Sequence, residues 1–381
     1  MTRVGLIGVG SMGRYVAKLV QKVSADVHYT AIYDPDESSV AEAVSALEFD
    51  GEVCDSVEAL LATDCDWVMI ASWNSHHAAQ AIAAFDAGKH VFCQKPLAIN
   101  LADCLAMRDA WRRSGKQFVI GFTLRFSPHY RRLKQLIDEG AIGQIVSIDF
   151  NETLPFNHGG YIMGDWRRLK ENAGSHALEK CCHDIDIVNW LVESRASRVA
   201  SFGGLDFFTR ENEHHIDRLG VDQKNRQAYL VRKGEQGLNP FSANKDIVDN
   251  QVVILEFANR VRASFHMNSN SGIPERRLYI CGTEGAIRAD VLKGTIELQQ
   301  IGFESVPEDF SAGVIGMHGE GDGVLARELV LAMQNTPVYG APGIEEGLIA
   351  AATCFGIDEA LESGQVVSMD ETWSLVDGDA G

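Results

Sequence analysis

The sequence predicts an α/β protein, with an N-terminal doubly wound domain and a C-terminal α+β domain built on a large, mostly antiparallel open sheet. Three observations predict it. Short apolar strands alternate with helical patterns over residues 1–122. A glycine pattern, Gly8-x-Gly10-x-x-Gly13, stands between the first strand and the first helix. From residue 143 onward, period-two strands replace the alternation, which sets a second domain at 123–381.

Val4, Leu6, Ile7 and Val9 form the first buried strand, and an amphipathic helix runs from Arg14 to Val23. Gly8 allows the tight turn, Gly10 lets the backbone approach a pyrophosphate, and Gly13 lets helix and strand pack closely. Free N–H groups at the helix start then face the anion. A second strand, Tyr29 to Tyr33, ends at Asp34, which lies 21 residues past Gly13, where a ribose-binding carboxylate belongs. Asp34 accepts hydrogen bonds from ribose hydroxyls and repels a 2′-phosphate, and Asp36 and Glu37 add to that repulsion. The cofactor expected is therefore NAD, with NADP disfavoured; Arg14 works slightly against that preference.

Helices follow at Ser39 to Leu47 and Ser56 to Ala62, then the continuous apolar strand Asp66 to Ser72, of the kind buried between helical layers. Ser72, Trp73, Asn74 and His77 sit at its carboxyl end, where open α/β sheets bind ligands. A helix from His77 to Ala87 leads to a strand ending in Gln94-Lys95-Pro96, and a helix from Leu101 to Arg113 leads to the strand Gln117 to Phe122. Beyond Pro128 the expected elements are a helix to Gly140 and strands at 143–152, 198–203, 250–257, 261–267, 276–281, 286–289 and 295–300. Ala258 to Arg260 is a hairpin turn, residues 206–249 are an excursion from the sheet, and helices at 322–334 and 345–363 close the chain. One face of this sheet is free for dimer formation.

Composition narrows the partners. The net charge of −19 disfavours nucleic acid and acidic membrane surfaces. No run of 18 apolar residues occurs, and the N-terminus passes directly into a strand, so a cytoplasmic protein is expected. The eight cysteines show no CxxC spacing and read as reduced thiols. Cys181 and Cys182 precede His183, but neighbours on a helix point about 100° apart, and no metal is expected.

Two stretches carry chemistry. Lys95, at the end of a parallel strand and held by Pro96, is aimed at the cofactor crevice and can donate to a reacting oxygen. In the segment Gly174 to Val192, Ser175 caps a helix on which Glu179, His183, Asp186 and Trp190 fall in one stripe. An imidazole suits proton transfer near neutral pH, and carboxylates a turn away raise its basicity and orient it. Arg125, Asn157 to Tyr161, Trp166-Arg167, Lys180, and His318 with Asp322 add donors to a polar pocket. Gly159, Gly160 and Gly174 mark loops where backbone approaches a ligand.

VGLIGVGSMG, HVFCQKPLA and EKCCHDIDIVNWL, in that order and spacing, resemble the Gfo/Idh/MocA (glucose-fructose oxidoreductase / inositol dehydrogenase) family over nearly the whole chain. The resemblance implies an N-terminal Rossmann domain, a C-terminal open-sheet domain, dimers or tetramers, and oxidation or reduction of sugars and cyclitols with NAD(P). Gln94-Lys95-Pro96 stands where the family has Glu-Lys-Pro, and Glu179 takes the place of an Asp four residues before His183. It implies catalytic roles for Lys95, His183 and Glu179, with hydride passing between a secondary alcohol and nicotinamide and with Lys95 and His183 meeting over the ring. Gly8, Gly10, Ser11, Met12, Gly13, Asp34, Ser72, Trp73, Asn74, His77, Gln94, Lys95 and Arg125 are the expected cofactor contacts. Lys95, Tyr161, Trp166, Arg167, Lys180, His183 and Asp186 are the expected substrate contacts. The family also holds out two alternatives, a glycosidase-like enzyme using transient sugar oxidation and a non-catalytic dinucleotide sensor. Retention of both Lys95 and His183 disfavours the sensor.

Overall fold

A computed structural model describes residues 1–231, 237–336 and 341–378. The chain divides into two compact units, one of Met1–Ser127 with Glu320–Ala351 and one of Pro128–Gly319 with Ala352–Gly381.

The first unit carries strands β1 (Thr2–Ile7), β2 (Val27–Tyr33), β3 (Glu52–Val53), β4 (Trp67–Ile70), β5 (His90–Cys93) and β6 (Phe118–Ile120). Between them run helices α1 (Ser11–Val23), α2 (Glu37–Leu47), α3 (Val57–Ala62), α4 (His77–Asp86) and α5 (Leu101–Ser114). The strands form one parallel sheet in the order β3-β2-β1-β4-β5-β6, the doubly wound arrangement expected. Strand order reverses between β1 and β4, so the crevice opens beside the glycine turn that follows β1. Strong local signals set the helix starts. Asp36 caps α2 through the N–H groups of Ser38 and Ser39, Ser56 caps α3, and Asn100 caps α5.

The C-terminal elements divide differently from the expected boundary at 122/123. Helix Gly321–Met333 belongs to the first unit, where Leu325, Leu329, Val330 and Met333 join Val16, Val20, Phe92 and Phe126 in one core. Gly321 lies so close to the Thr123 carbonyl that a Cβ there would stand 2.2 Å from its oxygen. The apolar face of this helix finds its partner on α1, and residues 123–127 go with it.

The second unit begins with α6 (Pro128–Asp138), β7 (Ile145–Pro155), α7 (Phe156–Met163), α8 (Lys170–Ala173), α9 (His176–Glu179) and α10 (Cys182–Val192). It continues with β8 (Ala196–Gly204), α11 (His215–Leu219), β9 (Asn250–Phe257), β10 (Arg262–Ser271), β11 (Arg277–Gly282), β12 (Gly285–Asp290), β13 (Thr295–Gln300), β14 (Glu308–Asp309) and β15 (Val367–Ser368). These strands form one sheet in the order β14-β13-β12-β11-β7-β10-β9-β8-β15, antiparallel throughout except where β7 meets β10. Arg260, at φ 71°, closes the expected hairpin between β9 and β10.

Burial alternates along β9, with Val253, Leu255 and Phe257 buried and Val252 and Ile254 exposed. Phe202 on β8 pairs in register with Val252 and is 72% exposed. The excursion between β8 and β9 folds onto α7 and the end of β7, with Phe208, Tyr229 and Phe241 closing over Leu154, Ile162 and Met163. Asp249 anchors its base by accepting the N–H groups of Asp206, Phe207 and Phe208 at 3.0, 2.8 and 2.8 Å. Among the described residues no helix is long and apolar enough to cross a membrane.

Candidate functional site

In the first unit the glycine turn is built as a cradle for an anion. Gly8 sits at φ 83°, which a side chain resists, and a Cβ on it would stand 2.4 Å from the Ser72 nitrogen. A Cβ on Gly13 would stand 2.1 Å from the Gly8 carbonyl oxygen, so α1 starts hard against β1. No side chain caps α1 and no acid stands in its first turn, which leaves the dipole's positive end for an anionic ligand. Ser11 and Met12 are exposed there.

Asp34, half-buried at the end of β2, accepts the Val9 N–H at 2.8 Å and the Asp36 N–H at 3.0 Å. A carboxylate offers about four lone-pair sites, so acceptor capacity remains for two ribose hydroxyls. Arg14, a cation of the kind that favours a 2′-phosphate, donates to the Val9 carbonyl at 2.7 Å and pairs with Glu42. These residues fit NAD.

At the carboxyl ends of β4 and β5 the other expected cofactor contacts gather. Ser72, Trp73, Gln94 and Lys95 are half-buried and Asn74 is buried, while Arg125, also buried, lies in the turn Thr123–Phe126 after β6. Ser72 Oγ donates to Gln80 Oε1 at 2.6 Å, and a Cβ on Gly121 would press on Gln94 Oε1 at 2.7 Å. His77 has a more internal place than a cofactor contact needs. It is fully buried, with Nδ1 2.8 Å from the Pro96 carbonyl and Nε2 3.2 Å from the Ser72 carbonyl. Burial lowers its pKa to about 4, so the ring is neutral, carries a single N–H and donates to only one of these two carbonyls.

In the second unit the expected helix from Ser175 to Val192 is broken into α9 and α10. The His176 carbonyl accepts from both Lys180 and Cys181, at 3.0 and 3.4 Å, and the Cys181 carbonyl then restarts the ladder with Asp184 and Ile185. The 100° stepping from Glu179 to His183 therefore does not hold across Lys180 and Cys181. Nor is the stripe a solvated face, for Glu179, His183 and Asp186 are all buried.

Glu179 turns to Arg167, whose Nε donates to it at 3.2 Å while Nη1 donates to buried Asp165 at 2.8 Å. The Arg167 guanidinium lies over the Trp166 ring at 4.2 Å and the Tyr161 ring at 5.0 Å. Two other expected substrate residues, Tyr161 and Trp166, are thus packed against the partly exposed cation of Arg167. The His183 ring stands 5.7 Å from the His318 ring.

Lys180, expected to face substrate, is buried and lies 3.2 Å from Glu152 on β7. Glu152 also meets Arg276 at 3.1 Å, and Arg276 grips Asp184 through two 2.7 Å bonds. Against a burial that would raise it, Arg276 and then Lys180 hold the Glu152 carboxyl down at about 2. The glycines expected in ligand loops serve packing instead. Gly159 and Gly160 lie in α7, where a Cβ would stand 1.8 Å from the Ser269 carbonyl oxygen and 2.3 Å from that of Tyr229. Gly174, at φ 78°, packs against Leu178.

Sequence reasoning missed Glu152, Asp165 and Arg276. Glu152 stands on β7 between Asn151 and Thr153, so the local sequence carries no signal that sets it apart.

Residues 2–122 match the model described as an oxidoreductase family, NAD-binding Rossmann fold, and residues 130–288 match the GFO/IDH/MocA C-terminal domain. An uncharacterized oxidoreductase of Streptococcus pneumoniae serotype 4 is 29% identical over 356 residues, covering 90% of this chain and 82% of its own. Inositol 2-dehydrogenase 3 of Saccharopolyspora erythraea is 31% identical over 198 residues, half of this chain and 54% of its own. A 2,7-anhydro-N-acetylneuraminate hydratase of Escherichia coli K12 is 26% identical over 352 residues, covering 90% and 81%. Among solved structures, a levoglucosan dehydrogenase in complex with NADH and levoglucosan shares the fold at a TM-score of 0.76, with 23% identity and coverage of 97% and 99%. With both of its domain models matched in order, the chain belongs to the Gfo/Idh/MocA oxidoreductase family.

Proposed function

We propose that this chain is an NAD-dependent dehydrogenase acting on a secondary alcohol of a sugar, cyclitol or related polyol, with the first unit binding NAD and the second binding substrate. The observation that carries the reading is the Gly8–Gly13 turn with Asp34 bonded to the Val9 N–H, a pyrophosphate cradle set beside a ribose acceptor. The names of the inositol and levoglucosan relatives support the substrate class. Bound NAD supplies the nicotinamide carbon that exchanges hydride with the alcohol carbon. His183 takes the hydroxyl proton, Lys95 donates a hydrogen bond to the reacting oxygen, and Glu179 or Asp186 orients the imidazole. Arg167, braced by Asp165, Glu179 and two rings, presents its donors to substrate oxygens in a fixed orientation.

The test is a screen of cyclitols, aldoses, glycosides and uronic acids for NADH formation, followed by His183→Ala and Lys95→Ala on the substrate found. Each variant should lose about 10²- to 10⁴-fold in kcat while binding NAD nearly as before. Full activity in both would refute the assignment. A second reading, transient oxidation serving an addition or elimination with no net redox change, is favoured by the hydratase among the relatives. It predicts substrate turnover without accumulation of NADH.

The same proposal includes a homo-oligomer working in the cytoplasm, where free thiols stay reduced. Its interface is the open sheet face bearing Phe202, Val252, Ile254 and Tyr279, which are 72%, 48%, 56% and 39% exposed. Phe202→Glu with Ile254→Lys should yield monomers by light scattering, and an unchanged mass would exclude that face.

A further inference from the structure

We propose that Arg276 is a positioning residue for the His183 and His318 imidazoles. The inference rests on the reading of His183 as the acid–base group. Arg276 directly precedes β11 and is 1% exposed. Its Nε and Nη2 donate to Asp184 Oδ1 and Oδ2, each at 2.7 Å, and its Nη1 donates to the Met317 carbonyl at 3.1 Å. Asp184 is the residue after His183 in the first turn of α10, and Met317 is the residue before His318. One guanidinium therefore grips the side chain of the residue after His183 and the backbone carbonyl of the residue before His318, whose rings stand 5.7 Å apart.

The planar fork fixes direction as well as distance, because a two-bond grip on a carboxylate leaves little freedom of rotation. Burying so much charge is tolerable because it cancels. Arg276 and Lys180 are matched by Asp184 and Glu152, with Glu152 bridging the two cations at 3.1 and 3.2 Å. The groups facing the guanidinium come from three elements, Asp184 on α10, Glu152 on β7 and Tyr130 on α6. Arg276 acts on the two imidazoles through the segments it ties together.

The test is Arg276→Lys, which keeps the charge and loses the fork. Imidazole nitrogen signals of His183 and His318 are followed against pH by NMR in the full-length protein, alongside the pH profile of kcat. The His183 midpoint should move by at least about half a pH unit, and kcat should fall about 10- to 100-fold with the KM for NAD unchanged. If Arg276→Lys does not fold, His318→Gln gives the second reading. It leaves the guanidinium in place and should shift the His183 signals if the rings are held as a pair. A folded Arg276→Lys, or failing that a His318→Gln, with wild-type His183 signals and midpoint would overturn the proposal. Shifted signals in a protein that forms no NADH from any polyol would uphold the positioning and reject the dehydrogenase reading.

Discussion

Gly13→Ala tests the cofactor cradle at its tightest point. The added Cβ would stand 2.1 Å from the Gly8 carbonyl oxygen, and that atom belongs to backbone, which cannot swing aside as a side chain can. Ordinary contact lies beyond about 3.4 Å, so the start of α1 has to retreat from β1 by an ångström or more. The displaced N–H groups are the ones that face the pyrophosphate, and a hydrogen bond to a charged group contributes about 1.5–3 kcal/mol. Losing one raises the Kd for NAD by about 10- to 150-fold. The assay is a fluorescence titration with NADH, with circular dichroism to confirm that the variant is folded. A folded variant that binds NADH with the wild-type Kd would refute the cradle.

Asp34→Asn removes the charge that repels a 2′-phosphate while keeping the contacts to Val9 and Asp36 in part, so the ratio of Kd for NADP to Kd for NAD should fall at least about tenfold by the same titration. Leu329→Ala, at a site 1% exposed in the core of the first unit, should cost about 2–5 kcal/mol in chemical denaturation, and a loss below about 1 kcal/mol would argue that helix Gly321–Met333 does not complete that core. Asp358, which meets Ser175 at the cap of α9, is raised by burial to about 7. A folded pKa above the unfolded value means that the folded protein holds the extra proton, so this group's contribution to stability is whole below about pH 4 and declines as pH rises through about 7, by up to about 4 kcal/mol. Asp358→Asn should remove that decline, seen as a Tm advantage over wild type that grows across this window. His77 and His176, both lowered to about 4 by burial, act in the opposite sense, their contribution falling away as pH drops from about 6.5 to 4.

The first unit was legible because its signals are local. Strand, glycine turn, helix and Asp34 follow one another within a few dozen residues, and each reports its own period or its own φ. The alternation along β9 was legible for the same reason. Four features were not. Helix Gly321–Met333 shows an apolar face, but nothing in it says which sheet that face will cover. The break between α9 and α10 leaves polar and apolar spacing nearly intact, and its visible mate, Glu152, stands far back in the chain on β7. Gly159 and Gly160 lower helix propensity and so suggest a loop, yet they sit in α7 because only glycine lets that helix approach the Ser269 and Tyr229 carbonyls. The Arg276 clamp on Asp184 joins residues 92 apart in sequence, beyond any periodicity.

The central claim is that this chain moves hydride between a secondary alcohol and NAD with His183 accepting the proton. Its most direct measurement is a single-turnover experiment with enzyme in excess over the polyol found in the screen, following NADH in wild type and in His183→Ala. Stoichiometric NADH in wild type, formed about 10²- to 10⁴-fold more slowly in the variant at equal NAD occupancy, is the predicted result. Equal rates in the two proteins, or no NADH from wild type with any polyol, would contradict it.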